Sequence, residues 1–113
     1  MPVVCVNALS LEGELAEISA RRTTPAGLPV VEGVIRHAST QIEAGSERSV
    51  TAEVPFVVLG EEARMLSQSV LGAAVSVNGF MAAKSLKNRR LVLHVEKIRF
   101  LEGNENGFQT EAS

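Results

Sequence analysis

A chain of 113 residues, 45% apolar and 21% charged, has room for one domain around a single modest core and is too small for two. No apolar run approaches the roughly 20 residues of a membrane helix, the lone Cys5 cannot close an internal disulfide, and the N-terminus lacks a signal peptide's basic start and long apolar stretch, so a cytoplasmic protein is expected. A net charge of −2 and a pI of about 5.7 exclude a whole-protein field that draws nucleic acid, so a polyanion site has to come from clustered cations.

Leu9, Leu11 and Leu15 alternate with Ser10, Glu12, Glu14 and Ala16, the pattern of a first strand with one wet face. Gly13 interrupts the series, which predicts a bulge or bend there. Thr24-Pro-Ala-Gly27 combines a fixed φ with a residue free to take positive φ and should reverse the chain. A second strand is expected over about Val30 to Ser39, then a polar connection from Gln41 to Glu47, then a third strand from about Ser49 to Leu59. In that third strand Val50, Ala52, Val54, Phe56 and Val58 share a face, and Pro55 predicts an edge or bulge. Gly60 ends it. Glu61 to Leu71 is the one helical segment, with acids in the first turn where the helix dipole favours them.

Gly72 closes the helix, and a fourth strand is expected over about Ala74 to Ala82, with Val75, Val77 and Met81 on one face. The fifth runs from Leu91 to Leu101. Its apolar parity switches from Leu93 and Val95 to Ile98 and Phe100, which predicts a bulge near Glu96 and Lys97. Residues 1–101 thus read as one domain, and residues 102–113, without periodicity, as a mobile tail.

Between the fourth and fifth strands lies Lys84-Ser-Leu-Lys-Asn-Arg-Arg90, four cations within seven residues, whose nearest acidic residue in sequence is Glu96. Such a loop should present positive potential to solvent, and a polyanion is its natural partner. Arg21 and Arg22 form a second cluster ahead of the first turn, Lys97 and Arg99 a third, and Arg36 and Arg48 are scattered. The order of strands and helix is that of an all-β OB-fold, a five-stranded Greek-key barrel with one short helix between strands three and four. Its first and last loops flank an oligonucleotide-binding face. Both stronger cation clusters fall in or near those loops, where they would frame a single strand of nucleic acid. Phe80 sits on the parity opposite Val75 and Val77 and is a candidate base-stacking platform.

Catalysis has no support. Asp is absent, no Gly-rich phosphate loop opens a helix, and His37 and His94 stand apart with no Cys or Asp at metal-ligand spacing, so neither an enzyme nor a metal or cofactor site is expected.

The residues from Asn7 to Leu101 resemble the PriB family, primosomal replication protein N, dimeric OB-fold relatives of bacterial single-stranded DNA-binding protein. The resemblance rests on Asn7-x-Leu9-x-Leu11-x-Gly13, Thr24-Pro-Ala-Gly27 with Pro29, and His37-x-Ser39-x-Gln41-x-Glu43-Ala44-Gly45. It extends through Glu53-Val54-Pro55 with Gly60, Val77-x-Gly79-Phe80 and Leu91-Val-Leu-His94-x-Glu96-x-Ile98. It implies a homodimer that binds single-stranded DNA and helps restart stalled replication by joining a primosomal helicase and later a helicase loader. It also implies DNA along the basic loop, here Lys84, Lys87, Arg89 and Arg90, with Arg36 and Arg48 as extensions. One departure is plain: relatives carry a stacking aromatic near the start of the third strand, where this chain has Val50-Thr-Ala52. An OB domain used only for protein contacts, with the loop docking an acidic surface, is the competing reading.

Overall fold

The alternation of apolar and polar residues becomes a closed barrel in the computed structural model, which describes residues 4–66 and 71–101. In chain order the elements are β1 (Leu9–Ile18), β2 (Arg22–Thr23), β3 (Pro29–Glu43), β4 (Ser46–Leu59), α1 (Glu61–Leu66), β5 (Ala74–Ala83) and β6 (Leu91–Phe100). The five long strands run β1-β5-β6-β4-β3 and return to β1, while the two-residue β2 adds to the side of β3. Neighbours are antiparallel except β4 and β6, which meet in parallel over Phe56–Val58 and Leu93–Val95. This is the five-stranded OB barrel that the element order implies, with its short helix between the third and fourth long strands.

Period two decides what lies inside. Leu15, Val31, Ile35, Phe56, Val58, Val75, Val77 and Leu93 are each at most 2% exposed and fill the barrel, and Ala63 and Leu66 of α1 join the same cluster. Each such side chain contributes roughly 1.5–3 kcal/mol for the larger residues by leaving water. α1 therefore acts through its buried face, packed on β3, β4 and β6.

β1 serves two neighbours. Leu9 to Glu14 pair with β5 and Glu14 to Ile18 with β3, so the strand bends across the barrel between them. Gly13 sits at that crossing, where a Cβ would run into the Arg36 carbonyl. The bulge itself falls later, with Ala16 as the extra residue between Leu15 and Glu17. In β6 the extra residue is Glu96, since Asn78 pairs with Lys97 and Gly79 with Val95, which accounts for the switch in apolar parity. Pro55 pairs with Val34 on β3, and the contact with β6 begins one residue after it.

Two boundaries differ from the sequence reading. The stretch from Gln41 to Glu47 is not a connection: β3 and β4 stay paired out to Glu43 and Ser46, joined by Ala44 and Gly45 with φ of 54° and 82°. Two consecutive positive φ values are the signature of a tight hairpin whose twist suits the flanking strands. Residues 40–49 are all exposed, so this arm buries nothing and shows no apolar alternation to mark it as strand. The helix is described only as far as Leu66, and residues 67–70, like the expected tail at 102–113, lie outside the described residues.

Candidate nucleic-acid interface

The basic loop is a compact hairpin tip. Ala83 pairs with Leu91, and the Lys84 amide continues the ladder one step by donating to the Arg90 carbonyl at 2.8 Å. Inside it the Ser85 amide donates to the Asn88 carbonyl at 2.9 Å, the Asn88 amide to Ser85 Oγ at 2.9 Å, and the Arg90 amide to Asn88 Oδ1 at 3.1 Å. Short polar side chains thus satisfy the turn's backbone, leaving the long cationic ones to solvent. All of residues 84–90 are exposed, and none of Lys84, Lys87, Arg89 and Arg90 has a carboxylate partner among the described residues.

The other arginines differ. Arg22 Nη2 lies 2.9 Å from Glu32 Oε2, Arg36 Nε 3.6 Å from Glu53 Oε2, and Arg48 Nη1 2.7 Å from Glu43 Oε1. Arg36 also registers with Glu14 across β1, so it stands between two acids. Arg21 is exposed and has no carboxylate partner among the described residues.

Arg22 and Lys84 are brought together. Both line a groove of about 560 Å3 on the outside of the barrel, with Glu32 between them. Hydrogen bonding from Arg22 holds the Glu32 carboxyl below its ordinary value; the charges of Arg22 and Lys84 add to that pull and partial burial opposes it. The groove's wall is pinned where Ser19 donates its amide to the Glu32 carbonyl at 2.7 Å and accepts the Glu32 amide on Oγ at 2.9 Å. Arg36 and Arg48 do not line this groove.

Phe80 is on the outer face as its parity requires, but it is half-buried and stacked on His94, with ring centroids 5.0 Å apart and planes 8° from parallel. His94, read from sequence as structural, lines the groove. Its signal was its parity: with Leu91, Leu93 and Val95 on one face, His94 falls on the other. His37 does have a structural setting, with Nδ1 2.7 Å from the Glu12 carbonyl and Nε2 2.8 Å from Ser39 Oγ, tying β1 to β3. Among the described residues no group of three or more His, Cys, Asp or Glu could hold a metal ion, and no helix is long and apolar enough to cross a membrane.

A closed barrel of this topology, capped by a short helix and carrying its cations on the last hairpin, is an OB-fold of the kind that binds oligonucleotides. A family model described as another single-strand binding protein family matches residues 7–97. The chain is 34% identical over 106 residues to replication restart protein PriB of Yersinia pestis bv. Antiqua (strain Nepal516), covering 91% of this chain and 100% of that one. Among solved structures it is similar to the PriB protein of Ralstonia solanacearum, with a TM-score of 0.77 and 28% identity over 85% of this chain and 98% of that one. It is also similar to the single-stranded DNA binding protein from Thermus aquaticus, with a TM-score of 0.69 and 26% identity over 87% of this chain and 51% of that one. The chain belongs to this single-strand binding protein family, among its PriB replication restart members.

Proposed function

We propose that this protein binds single-stranded DNA through the loop from Lys84 to Arg90 and acts in replication restart as a homodimer that joins DNA to a primosomal helicase and then to a helicase loader. One observation carries the DNA reading: four exposed cations on a structured hairpin tip, without acidic partners among the described residues, in a member of a single-strand binding family. Each phosphate that such a cation neutralises releases condensed counterions, so affinity should fall with salt by about 0.7 log units per decade for each contact. Titrating a labelled oligothymidylate from 50 to 200 mM salt should give a slope near −3 for four contacts. Salt-insensitive binding, or a strong preference for duplex DNA, would overturn the reading.

The homodimer is supported by an edge. β1 pairs with β5 from Leu9 to Glu14 but meets β3 only from Glu14 onward, so its other edge from Leu9 to Gly13 has no strand partner among the described residues. The His37 ring sits against it at the Glu12 carbonyl. Exposed edges of small sheets invite pairing. Light scattering at micromolar concentration should report twice the 12.0 kDa chain mass. The helicase contact is checked by mixing protein, DNA and helicase: the helicase should be retained on DNA only when this protein is present. The protein-adaptor reading is favoured by the low aromatic content and the acidic pI of about 5.7, and it predicts no DNA affinity even at low salt.

A further inference from the structure

The outer face of a small barrel is ordinarily its polar face, because the alternate residues have already filled the core. Here one stretch of it is not polar. Phe56, Val58, Leu93 and Val95 point inward, so Pro55 and Val57 of β4 and Val92 and His94 of β6 point outward. Val34 of β3 stands opposite Pro55, and Phe80 of β5 opposite His94. These residues form an apolar strip across four strands, ending in the Phe80–His94 ring stack, and all of them but Phe80 line the groove of about 560 Å3. That volume lies within the roughly 300–1,000 Å3 of small-ligand pockets.

Charge decides what such a groove would take. Its lining includes Arg22 and Lys84 but also Glu17 and Glu32, so its interior is balanced and does not favour a phosphate. The unpaired cations lie next to it, on the loop that Lys84 begins. A ligand that suits both must carry an anionic chain outside and an uncharged, flat, π-faced group inside. A single strand of nucleic acid has that construction: stacking on a protein ring is tolerant of base identity, because every base has a π-face. An apolar peptide or a second copy of this chain would use the strip and leave the cations idle.

We propose that this groove is a nucleobase pocket in which His94, backed by Phe80, is the stacking ring. It takes the role for which Val50-Thr-Ala52 has no aromatic. Phe80 holds the imidazole flat from one side, so that His94 and not Phe80 reaches the groove. The pocket rests on the single-stranded DNA reading above and adds to it where a base goes.

The test compares an oligothymidylate with an abasic oligomer of equal length, which has the same phosphates and no bases. His94→Ala should weaken oligothymidylate binding about tenfold, within what removal of a stacking ring costs, and change abasic binding by less than about twofold. His94→Phe should restore most of the loss. A second readout needs no variant: the chain has two histidines, so on adding oligothymidylate the ring protons of His94 should move upfield in NMR spectra while those of His37 stay in place. If His94→Ala binds oligothymidylate as the parent does, or loses abasic binding equally, the pocket is wrong while DNA binding by the loop stands. The same holds if the His94 signals move with protein concentration instead of DNA, which would assign the strip to a second copy. If the parent binds neither oligomer, the pocket falls together with the reading beneath it.

Discussion

The cations of the last hairpin and the arginines of the sheet make up two regions with the same chemistry and different surroundings. On the sheet, Arg22, Arg36 and Arg48 each lie within 4 Å of a glutamate, on strands whose register brings acid and base side by side. On the loop, Lys84, Lys87, Arg89 and Arg90 stand past the last paired residues; none is in an ion pair among the described residues, and only the charge of Lys84 is felt at a described carboxylate, that of Glu32. A cation already paired with a carboxylate has little field left to offer a phosphate, whereas an unpaired one has all of it. The position of a cation relative to the barrel's edge, more than the number of cations, decides which are left without an ion pair, so a chain with net charge −2 still exposes a cluster of unpaired cations among its described residues.

The largest effect expected from this contrast is on the loop. Replacing Lys84, Lys87, Arg89 and Arg90 together by Ala should reduce affinity for single-stranded DNA by about a hundredfold or more at 50 mM salt, and bring the salt slope from near −3 toward zero. Stability should hardly change, since exposed substitutions cost less than about 0.5 kcal/mol each. The contrast with the core is steep: Leu66→Ala, at a side chain with 0% exposure, should cost about 2–5 kcal/mol. Glu61 and Glu62, changed to Ala on α1, serve as the control for binding. A loop variant that binds as tightly as the parent would dissolve the comparison at its centre.

A smaller effect sharpens it from the other side. If Arg36 and Arg48 are quiet because Glu53 and Glu43 neutralise them, then Glu43→Gln with Glu53→Gln should release both. Binding should strengthen about threefold to tenfold at 50 mM salt, with the gain fading by 200 mM as exposed charges are screened. Isothermal or anisotropy titrations at the two salts would measure it. No gain at low salt would mean that the DNA never passes the sheet arginines, and that the interface is confined to the hairpin and its groove.

The barrel was legible because each core strand alternates, and the bulge at Glu96 could be read from a switch in parity alone. The arm beyond Thr40 was not, because both of its faces are wet and period two leaves no mark where nothing is buried. The loop was legible as charge, since its seven residues contain no acid. The neutralisation of the sheet arginines was hidden: Arg22 meets Glu32 and Arg36 meets Glu53 only once the register of β2, β3 and β4 is set. Phe80 was found as an outward ring, yet what it does depends on His94, which lies across the β5–β6 ladder and becomes its neighbour only through pairing. Composition and periodicity report what each residue prefers, and pairing between distant strands decides which preferences meet.

The smallest effect lies where the two regions touch. Glu32 faces Arg22 from the sheet side and Lys84 from the loop side, so its carboxyl is a gauge of both. The hydrogen bond from Arg22 is the larger influence and the charge of Lys84 a lesser one, and together they hold the group below its ordinary 4.5. A carboxyl lowered in the folded state contributes stability that is present above the unfolded value and is lost as pH falls through the folded one. The pair's contribution should therefore be complete at neutral pH and disappear on the acid side of about 4.5. Exposed pairs contribute only about 0–1 kcal/mol, so the melting temperature is a blunt readout and the carboxyl's own NMR titration a sharp one. Arg22→Ala should raise the Glu32 midpoint to its ordinary value or beyond, since partial burial then acts unopposed by the hydrogen bond; Lys84→Ala should raise it less. A larger shift from Lys84 than from Arg22 would mean that the loop, not the sheet, controls Glu32, and that Lys84 is engaged by Glu32 and not open to a phosphate.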